Sequence, residues 1–184
     1  MLSRVERYLA HLDELSGGVA PHFQPIESTK PGLPEVTAFV YQDLPDPGLI
    51  TGLTYGLSLA EHPQWRHGKP ELCISVASAD PIWALAVGLL AEQLRGTCPF
   101  AYGDTINFNQ RIAPESDMTA FVVYTPAVLQ PPDYTDIDVG DGHVHIAGCY
   151  PIHDVERQYI HEYGFLEFWK LEWDGYDVRR APAV

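Results

Sequence analysis

The chain has 184 residues, of which 46% are apolar, and this length and composition predict one globular domain with a sizeable core. The net charge of −14 argues against nucleic acid and anionic membrane surfaces as partners, because both require a positive protein surface. No apolar run approaches the roughly 18–20 residues of a membrane span, and the charged N-terminus does not resemble a signal peptide, so we expect a cytoplasmic protein.

The first half of the chain predicts a helix followed by strands. Apolar residues spaced three and four apart over residues 2–16 predict an amphipathic helix, and the Pro- and Gly-rich stretch 17–34 predicts a loop. β-Branched and aromatic residues predict a strand over 36–42 and a second strand over 49–57, joined as a hairpin. A third strand is predicted over 71–77.

The second half mixes helices and strands. Asp80-Pro81 is typical of a helix start and predicts a well-buried helix that runs to about Leu94. The later predictions are, in chain order, strands at 105–108 and 118–124, an acidic loop at 127–142, a strand at 143–152, helices at 154–163 and 165–173, and an edge strand at 176–180. Clustered strands with few intervening helices predict an α+β fold: a single-domain sandwich over 1–184, with a mainly antiparallel or mixed sheet flanked by helices.

The cysteines and histidines offer the main candidates for catalytic chemistry. The three cysteines are odd in number and far apart, which predicts buried free thiols rather than disulfides. His143 and His145 share one strand face, and His153 could join them in a metal-dependent or hydrolytic site. However, no Cys-x-x-Cys, His-Glu-x-x-His or Gly-x-Ser-x-Gly motif supports such a site. We therefore predict a protein that is not an enzyme and needs no cofactor, with the three-histidine enzyme as the alternative.

The acidic residues are unevenly distributed. Residues 130–177 contain eleven acids and two bases, which would steer a basic protein partner toward this part of the surface. Gly103-Asp104-Thr105 predicts a turn, with Asp104 either bonding the backbone or standing at the edge of a binding cleft. Tyrosines beside acids combine contact area with charge, so we predict a partner-binding surface formed by Tyr102, Asp104, Asp133, Tyr134, Asp136 and Asp138.

In order and spacing, these segments resemble the suppressor-of-fused family over roughly residues 36–180. Residues 1–35, the predicted helix and loop, lie outside the resemblance. The matching features are Tyr55-Gly56-Leu57-Ser58, a strand starting at Glu71-Leu72, Trp83 near a helix start, Gly103-Asp104, the strand from Met118 to Pro126, the strand from His143 to Ile152 running straight into a helix, the Gly-hydrophobic-Leu-Glu pattern within Glu162 to Trp169, and Asp177-Val178-Arg179-Arg180.

The resemblance implies a regulatory protein without enzymatic activity. The animal protein grips a peptide of a transcription factor with two domains and strand addition, and this chain is similar only to the first domain. Small bacterial relatives look like immunity proteins that neutralise secreted toxins. Gly103-Asp104 falls where the animal protein has an acid near its peptide cleft, whereas the aromatic residue of that cleft has no match, and Glu92 lies in that region. A subunit of a larger complex is a further alternative, and the predicted strand at 176–180 could pair with a partner or a second copy.

Overall fold

An eight-stranded mixed sheet forms the centre of the fold in the computed structural model, which describes all 184 residues. The strands are β1 His22–Ile26, β2 Val36–Gln42, β3 Ile50–Tyr55, β4 Lys69–Val76, β5 Thr105–Asn107, β6 Ala120–Tyr124, β7 Ile137–Asp138 and β8 His143–Ile152. Their order across the sheet is β1-β2-β3-β4-β8-β6-β5, and β7 pairs with the start of β8. All neighbouring pairs are antiparallel except β4 and β8, which run parallel. The predicted α+β class is therefore confirmed.

Five α-helices flank the sheet: α1 Arg4–Ser16, α2 Ile82–Leu94, α3 Pro131–Tyr134, α4 Asp154–Tyr163 and α5 Phe165–Trp169. A short 3-10 helix, Leu57–Leu59, follows β3. Ser3 caps the N-terminus of α1: its side chain accepts a hydrogen bond from the Glu6 N–H, while the Glu6 carboxylate accepts one from the Ser3 N–H. None of the helices combines the length and the apolar character that crossing a bilayer requires.

The alternation of side chains along the strands divides the core between the two faces of the sheet. On β2, Ala38 and Val40 point toward α2, whereas Phe39 and Tyr41 point toward α1. The α2 face holds the largest cluster, of 25 buried residues. On the opposite face, α1 covers one half of the sheet, and α4 with α5 covers the half formed by β6 and the end of β8. The region between these two helical units, which carries α3, is where the predicted binding residues lie.

Four of the predicted elements differ from the structure. The stretch 17–34 contains β1, which forms by pairing with β2 although its sequence is polar and includes Pro25. The stretch 127–142 contains α3 and β7, and the last predicted helix ends at Trp169. Residues 176–180 do not form a strand: the Tyr176 carbonyl accepts one hydrogen bond, from the Ala77 N–H at 2.8 Å, and Val178 is buried in the core. The edges of the sheet are consequently β1 and β5.

The three cysteines are free thiols, with Cys73 and Cys149 buried and Cys98 half-buried. Burial raises the pKa of the Cys73 thiol to about 12, and the same cause raises the pKa of Cys149 further. A thiol of this kind stays protonated at neutral pH and is a poor nucleophile. Cys73 and Cys149 therefore serve as small apolar core residues.

Candidate protein-binding surface

The exposed ring of Tyr102 packs against an aromatic residue of β6. Tyr102 lies in the turn before β5 with 49% of its surface exposed, and its ring centroid is 5.5 Å from that of Tyr124 on β6. Burial raises the pKa of Tyr102, and the neighbouring phenols of Tyr134 and Tyr124 raise it further. The structure thus places Tyr102, one of the predicted binding residues, against Tyr124, which the sequence predicts only as the end of a strand.

Behind Tyr102, the ring of Tyr124 packs against two further aromatic rings, Phe165 and Trp169. The Tyr124 ring lies 4.9 Å from that of Phe165 and 4.6 Å from that of Trp169, measured between centroids. Gly103 has a left-handed φ of 91°, and a Cβ at this position would lie 3.3 Å from the Phe165 side chain, so the turn and α5 are closely packed. The sequence does not single out Phe165 and Trp169 as part of a surface, because apolar residues in a short helix are typical of an ordinary core.

Asp104 has the local backbone role that its Gly-Asp-Thr context predicted. One of its carboxylate oxygens accepts a hydrogen bond from the Ala101 N–H at 2.9 Å, which closes the turn that presents Tyr102. Its carbonyl accepts from the Val123 N–H at 2.9 Å and ties the turn to β6. Asp104 remains partly exposed, so its charge reaches solvent beside Tyr102 while its side chain fixes the turn.

The other three acids continue from α3 toward α1. Asp133 caps α3 by accepting from the Gln130 N–H at 3.1 Å, and its carbonyl lies 2.7 Å from His11 Nε2. Asp136 and Asp138 are exposed and line a shallow depression against α1. Asp138 accepts a hydrogen bond from the Gly140 N–H at 2.8 Å. The six predicted residues, here named the strip, lie in three places: Tyr102 and Asp104 in the turn before β5, Asp133 and Tyr134 in α3, and Asp136 and Asp138 beside α1. Their joint role as one binding surface stays a prediction.

The charge of this strip is not neutralised within the chain. None of its four aspartates forms an ion pair, whereas eight of the eleven Lys and Arg side chains pair with other carboxylates. The net charge of −14 consequently rests on carboxylates without a basic neighbour. Such a surface attracts a basic partner at long range, and salt weakens the attraction.

The three-histidine site is not formed. His143 begins β8 and His153 follows its last residue, so the ten-residue strand holds them roughly 33 Å apart. His153 is also occupied elsewhere, because its Nε2 lies 2.9 Å from the Arg180 carbonyl. No group of three or more His, Cys, Asp or Glu side chains is placed to hold a metal ion. His143, His145 and His153 therefore do not come together in one site.

Glu92 does not replace the missing aromatic residue of a cleft, because it is buried. One of its oxygens accepts hydrogen bonds from the Thr29 N–H and hydroxyl at 2.6 and 2.9 Å, and the other lies 2.6 Å from the Arg95 guanidinium. Arg95 in turn donates to the carbonyls of Pro34 and Gly56. This buried pair fastens the segment before β2 to α2 and faces no open surface.

The free edge of β5 adjoins the strip. β5 ends the sheet path, so its outer backbone groups have no neighbouring strand. A groove of about 540 Å³ runs between this edge and α2, with Leu90, Cys98 and Ile106 in its wall. The opposite edge strand, β1, contains Pro25, which lacks an N–H donor. β5 is therefore the edge without a proline, and it follows directly on Tyr102 and Asp104.

An α+β domain with a free edge strand beside an acidic, aromatic surface has the features of a protein-interaction module. The family model for suppressor of fused protein (SUFU) matches residues 32–181, and the chain belongs to this family of regulatory protein-binding domains. The resemblance seen in the sequence motifs is thereby confirmed, and the matched range excludes α1 and β1, close to the predicted limit. No curated protein matches the sequence.

Solved structures share the fold at low sequence identity. A putative SUFU homolog from Neisseria gonorrhoeae is 19% identical with a TM-score of 0.73, and the match covers 97% of this chain and 95% of that one. A chain of the Sufu-Fu complex is 14% identical with a TM-score of 0.70, covering 98% and 92%. Drosophila Suppressor of Fused is 13% identical with a TM-score of 0.61 over 83% of this chain. The match spans 42% of the Drosophila chain.

Proposed function

We propose that this chain is a non-enzymatic cytoplasmic module that binds a basic protein, and that this partner is a toxin which the chain neutralises as an immunity protein. The observation that carries the proposal is the strip of four aspartates without ion-pair partners beside the exposed Tyr102. Aromatic anchors at the centre of a charged surface are the usual source of affinity in protein interfaces. The strip combines both elements.

The negative charge of the strip favours partners that carry a positive surface. A nuclease toxin needs a positive surface to hold the phosphates of its substrate, and that surface is complementary to the strip. Covering it with a protein carrying a net charge of −14 would exclude nucleic acid from it. Long-range attraction also speeds association, which matters for an inhibitor that must act before its target does damage.

The free edge of β5 offers a second source of affinity. An extended segment of the partner can add to this edge through main-chain hydrogen bonds, and its side chains can enter the groove beside α2. The presence of a structurally similar chain in a complex of Sufu with Fu supports a protein as the partner. Backbone pairing would fix the orientation in which the strip meets the partner.

Affinity capture with the tagged chain at low and at moderate salt, followed by mass spectrometry, tests the proposal. We expect one basic protein whose retention weakens as salt rises. The captured protein is then produced in a host with and without this chain, and growth is compared. Rescue of growth by the chain supports the immunity role, whereas a harmless partner in a stable assembly indicates a structural subunit instead.

Charge-matched variants then locate the interface. The four-site variant with Asn at Asp104, Asp133, Asp136 and Asp138 should weaken binding to the captured protein by roughly two- to fivefold per charge removed. The control removes the same charge from exposed acids away from the strip: Glu27→Gln, Glu35→Gln, Asp46→Asn and Glu172→Gln. Equal affinity of the two variants would show that the strip is not the binding surface.

A further inference from the structure

A polar cleft of about 480 Å³ opens beside the first turn of α1, between the segment after the 3-10 helix and the start of β8. Its volume falls within the roughly 300–1,000 Å³ of small-molecule sites. Two of its ten lining residues are hydrophobic, Leu59 and Trp65, and the others are polar, charged or glycine. The cleft shares no lining residue with the strip, so a ligand bound there is independent of the proposed protein partner.

Two bases and two acids line the cleft as ion pairs, Arg4 with Asp141 and Lys69 with Glu61. The side chains of Arg4 and Lys69 are 16% and 31% exposed, whereas those of the two acids are 70% and 85% exposed. The bases therefore lie deep in the cleft and the acids lie at its mouth. Ion pairs with such exposed partners contribute little to stability, so a ligand can replace them at low cost.

The guanidinium of Arg4 is fixed in position by a buried carboxylate. Its Nη2 donates to the Ser58 hydroxyl at 2.8 Å and to the Ser58 carbonyl at 3.2 Å. The Ser58 hydroxyl in turn donates to the buried Glu71 carboxylate at 2.7 Å. The other terminal nitrogen, Nη1, donates to the exposed Asp141 at 3.2 Å. A cation that is already ordered binds a carboxylate with less loss of side-chain entropy than a mobile one, so Nη1 is a prepared donor for a ligand carboxylate.

Trp65 forms the apolar part of the cleft wall. Its indole N–H donates to the Pro99 carbonyl at 2.8 Å, which fixes the half-buried ring. Gly68, with a left-handed φ of 99°, brings the loop that carries Trp65 against β8, because a Cβ at Gly68 would lie 3.1 Å from the His143 carbonyl oxygen. A fixed aromatic ring beside charged groups offers a contact for an apolar or aromatic side chain.

We infer that this cleft binds a small zwitterion of the α-amino-acid class. The ligand carboxylate pairs with Arg4 and Lys69, its ammonium pairs with the two acids at the mouth, and its side chain packs on Trp65. A simple anion would meet the two carboxylates and a simple cation would meet the two bases, whereas a zwitterion satisfies both. A zwitterion also carries no net charge, so the net charge of −14 on the chain does not repel it.

The test compares three related probes on the ¹⁵N-labelled full chain by NMR, at about pH 6.5, where the α-amino group is protonated. The probes are L-phenylalanine, N-acetyl-L-phenylalanine, which lacks the ammonium, and L-phenylalaninamide, which lacks the carboxylate. We expect saturable shifts of the Gly68 and Gly142 amides and of the Trp65 indole N–H with L-phenylalanine. Each analogue should bind roughly tenfold or more weakly, because it loses one charged hydrogen-bonding group. No saturable shift with L-phenylalanine up to about 20 mM, or equal binding of either analogue, would overturn the inference.

A matched pair of double variants then locates the site. Lys69→Gln with Glu61→Gln removes one ion pair of the cleft without changing the net charge, and it should weaken L-phenylalanine binding roughly tenfold. Its melting temperature should stay nearly unchanged, because the pair is exposed. The control, Lys170→Gln with Glu167→Gln, removes an exposed ion pair of α5 and should bind L-phenylalanine as the wild type does. Unaltered affinity in the cleft variant, or an equal loss in both variants, would refute the site.

Discussion

Ser58 donates two hydrogen bonds to a single carboxylate oxygen of the buried Glu71, from its backbone N–H at 3.0 Å and from its hydroxyl at 2.7 Å. The Gly56 N–H donates to the same oxygen at 2.9 Å, and the Thr54 hydroxyl donates to the other at 2.7 Å. The Tyr-Gly-Leu-Ser motif and the strand that begins at Glu71 are therefore two halves of one buried network. Burial raises the pKa of Glu71, while these hydrogen bonds lower it.

Replacement of Glu71 should reveal how much this network contributes to stability. Glu71→Leu leaves four buried donor groups without this acceptor, and we expect it to lower the free energy of unfolding by about 3–5 kcal/mol. Glu71→Gln keeps one acceptor oxygen and should cost less, about 1–3 kcal/mol. Urea unfolding of the two variants measures the difference. A cost below about 1 kcal/mol for Glu71→Leu would mean that the motif is not held together by this carboxylate.

A second prediction about stability concerns the buried ion pair of Glu92 and Arg95. Arg95→Met leaves the Glu92 carboxylate buried without its counter-ion and should cost about 3–5 kcal/mol. In the double variant with Glu92→Leu no charge is left buried, so part of this loss should be recovered. The comparison is a double-mutant cycle by urea unfolding. Strict additivity of the two substitutions would show that the charges do not interact.

Close packing of α2 on the sheet depends on Gly52 and Gly88 to different degrees. A Cβ at Gly52 would lie 2.7 Å from the Ala84 Cα, which is backbone, so Gly52→Ala should cost at least about 2 kcal/mol. A Cβ at Gly88 would meet the flexible end of Ile26 at 2.3 Å, and alanine favours a helix by about 1 kcal/mol. Thermal unfolding should therefore rank Gly88→Ala as the milder variant. The reverse ranking would contradict this packing.

We predict that the half-buried His145 makes the stability of the fold depend on pH. Burial lowers its pKa below the ordinary value of 6.5, so the unfolded chain binds more protons than the folded chain near that pH. Its contribution to stability is thus fully present above pH 6.5 and is lost as pH falls through the lowered pKa. Between about pH 7.5 and 5, the wild type should lose more unfolding free energy than His145→Gln.

The control for this experiment is His143→Gln, which changes an exposed histidine of the same strand. It should keep the pH dependence of the wild type, measured by urea unfolding at both pH values. If His145→Gln shows the same slope as the wild type, the acid sensitivity of the fold arises from other groups.

Helices and strands could be predicted from the sequence where the spacing of apolar residues is enough to identify them. The spacing of leucines in α1 and the long apolar β8 reflect burial of one face or both faces, which local sequence records directly. The sequence does not predict β1 and wrongly predicts a strand at 176–180. The reason is that an edge strand forms only where a neighbouring strand pairs with it. The β1 sequence is polar and still pairs with β2, whereas Val178 is buried without any strand partner.

The same distinction between features set by local sequence and features set by long-range contacts applies to the candidate site. The sequence by itself determined the acidic charge, the turn at Asp104, the family motifs and the set of tyrosines and aspartates, because these follow from composition and short-range spacing. Only the tertiary structure decided that Tyr102 packs against Tyr124, that Glu92 is buried, and that His143 and His153 lie at opposite ends of one strand. Each of these depends on which strands are neighbours, and the order of strands in a sheet is set by contacts between residues distant in sequence.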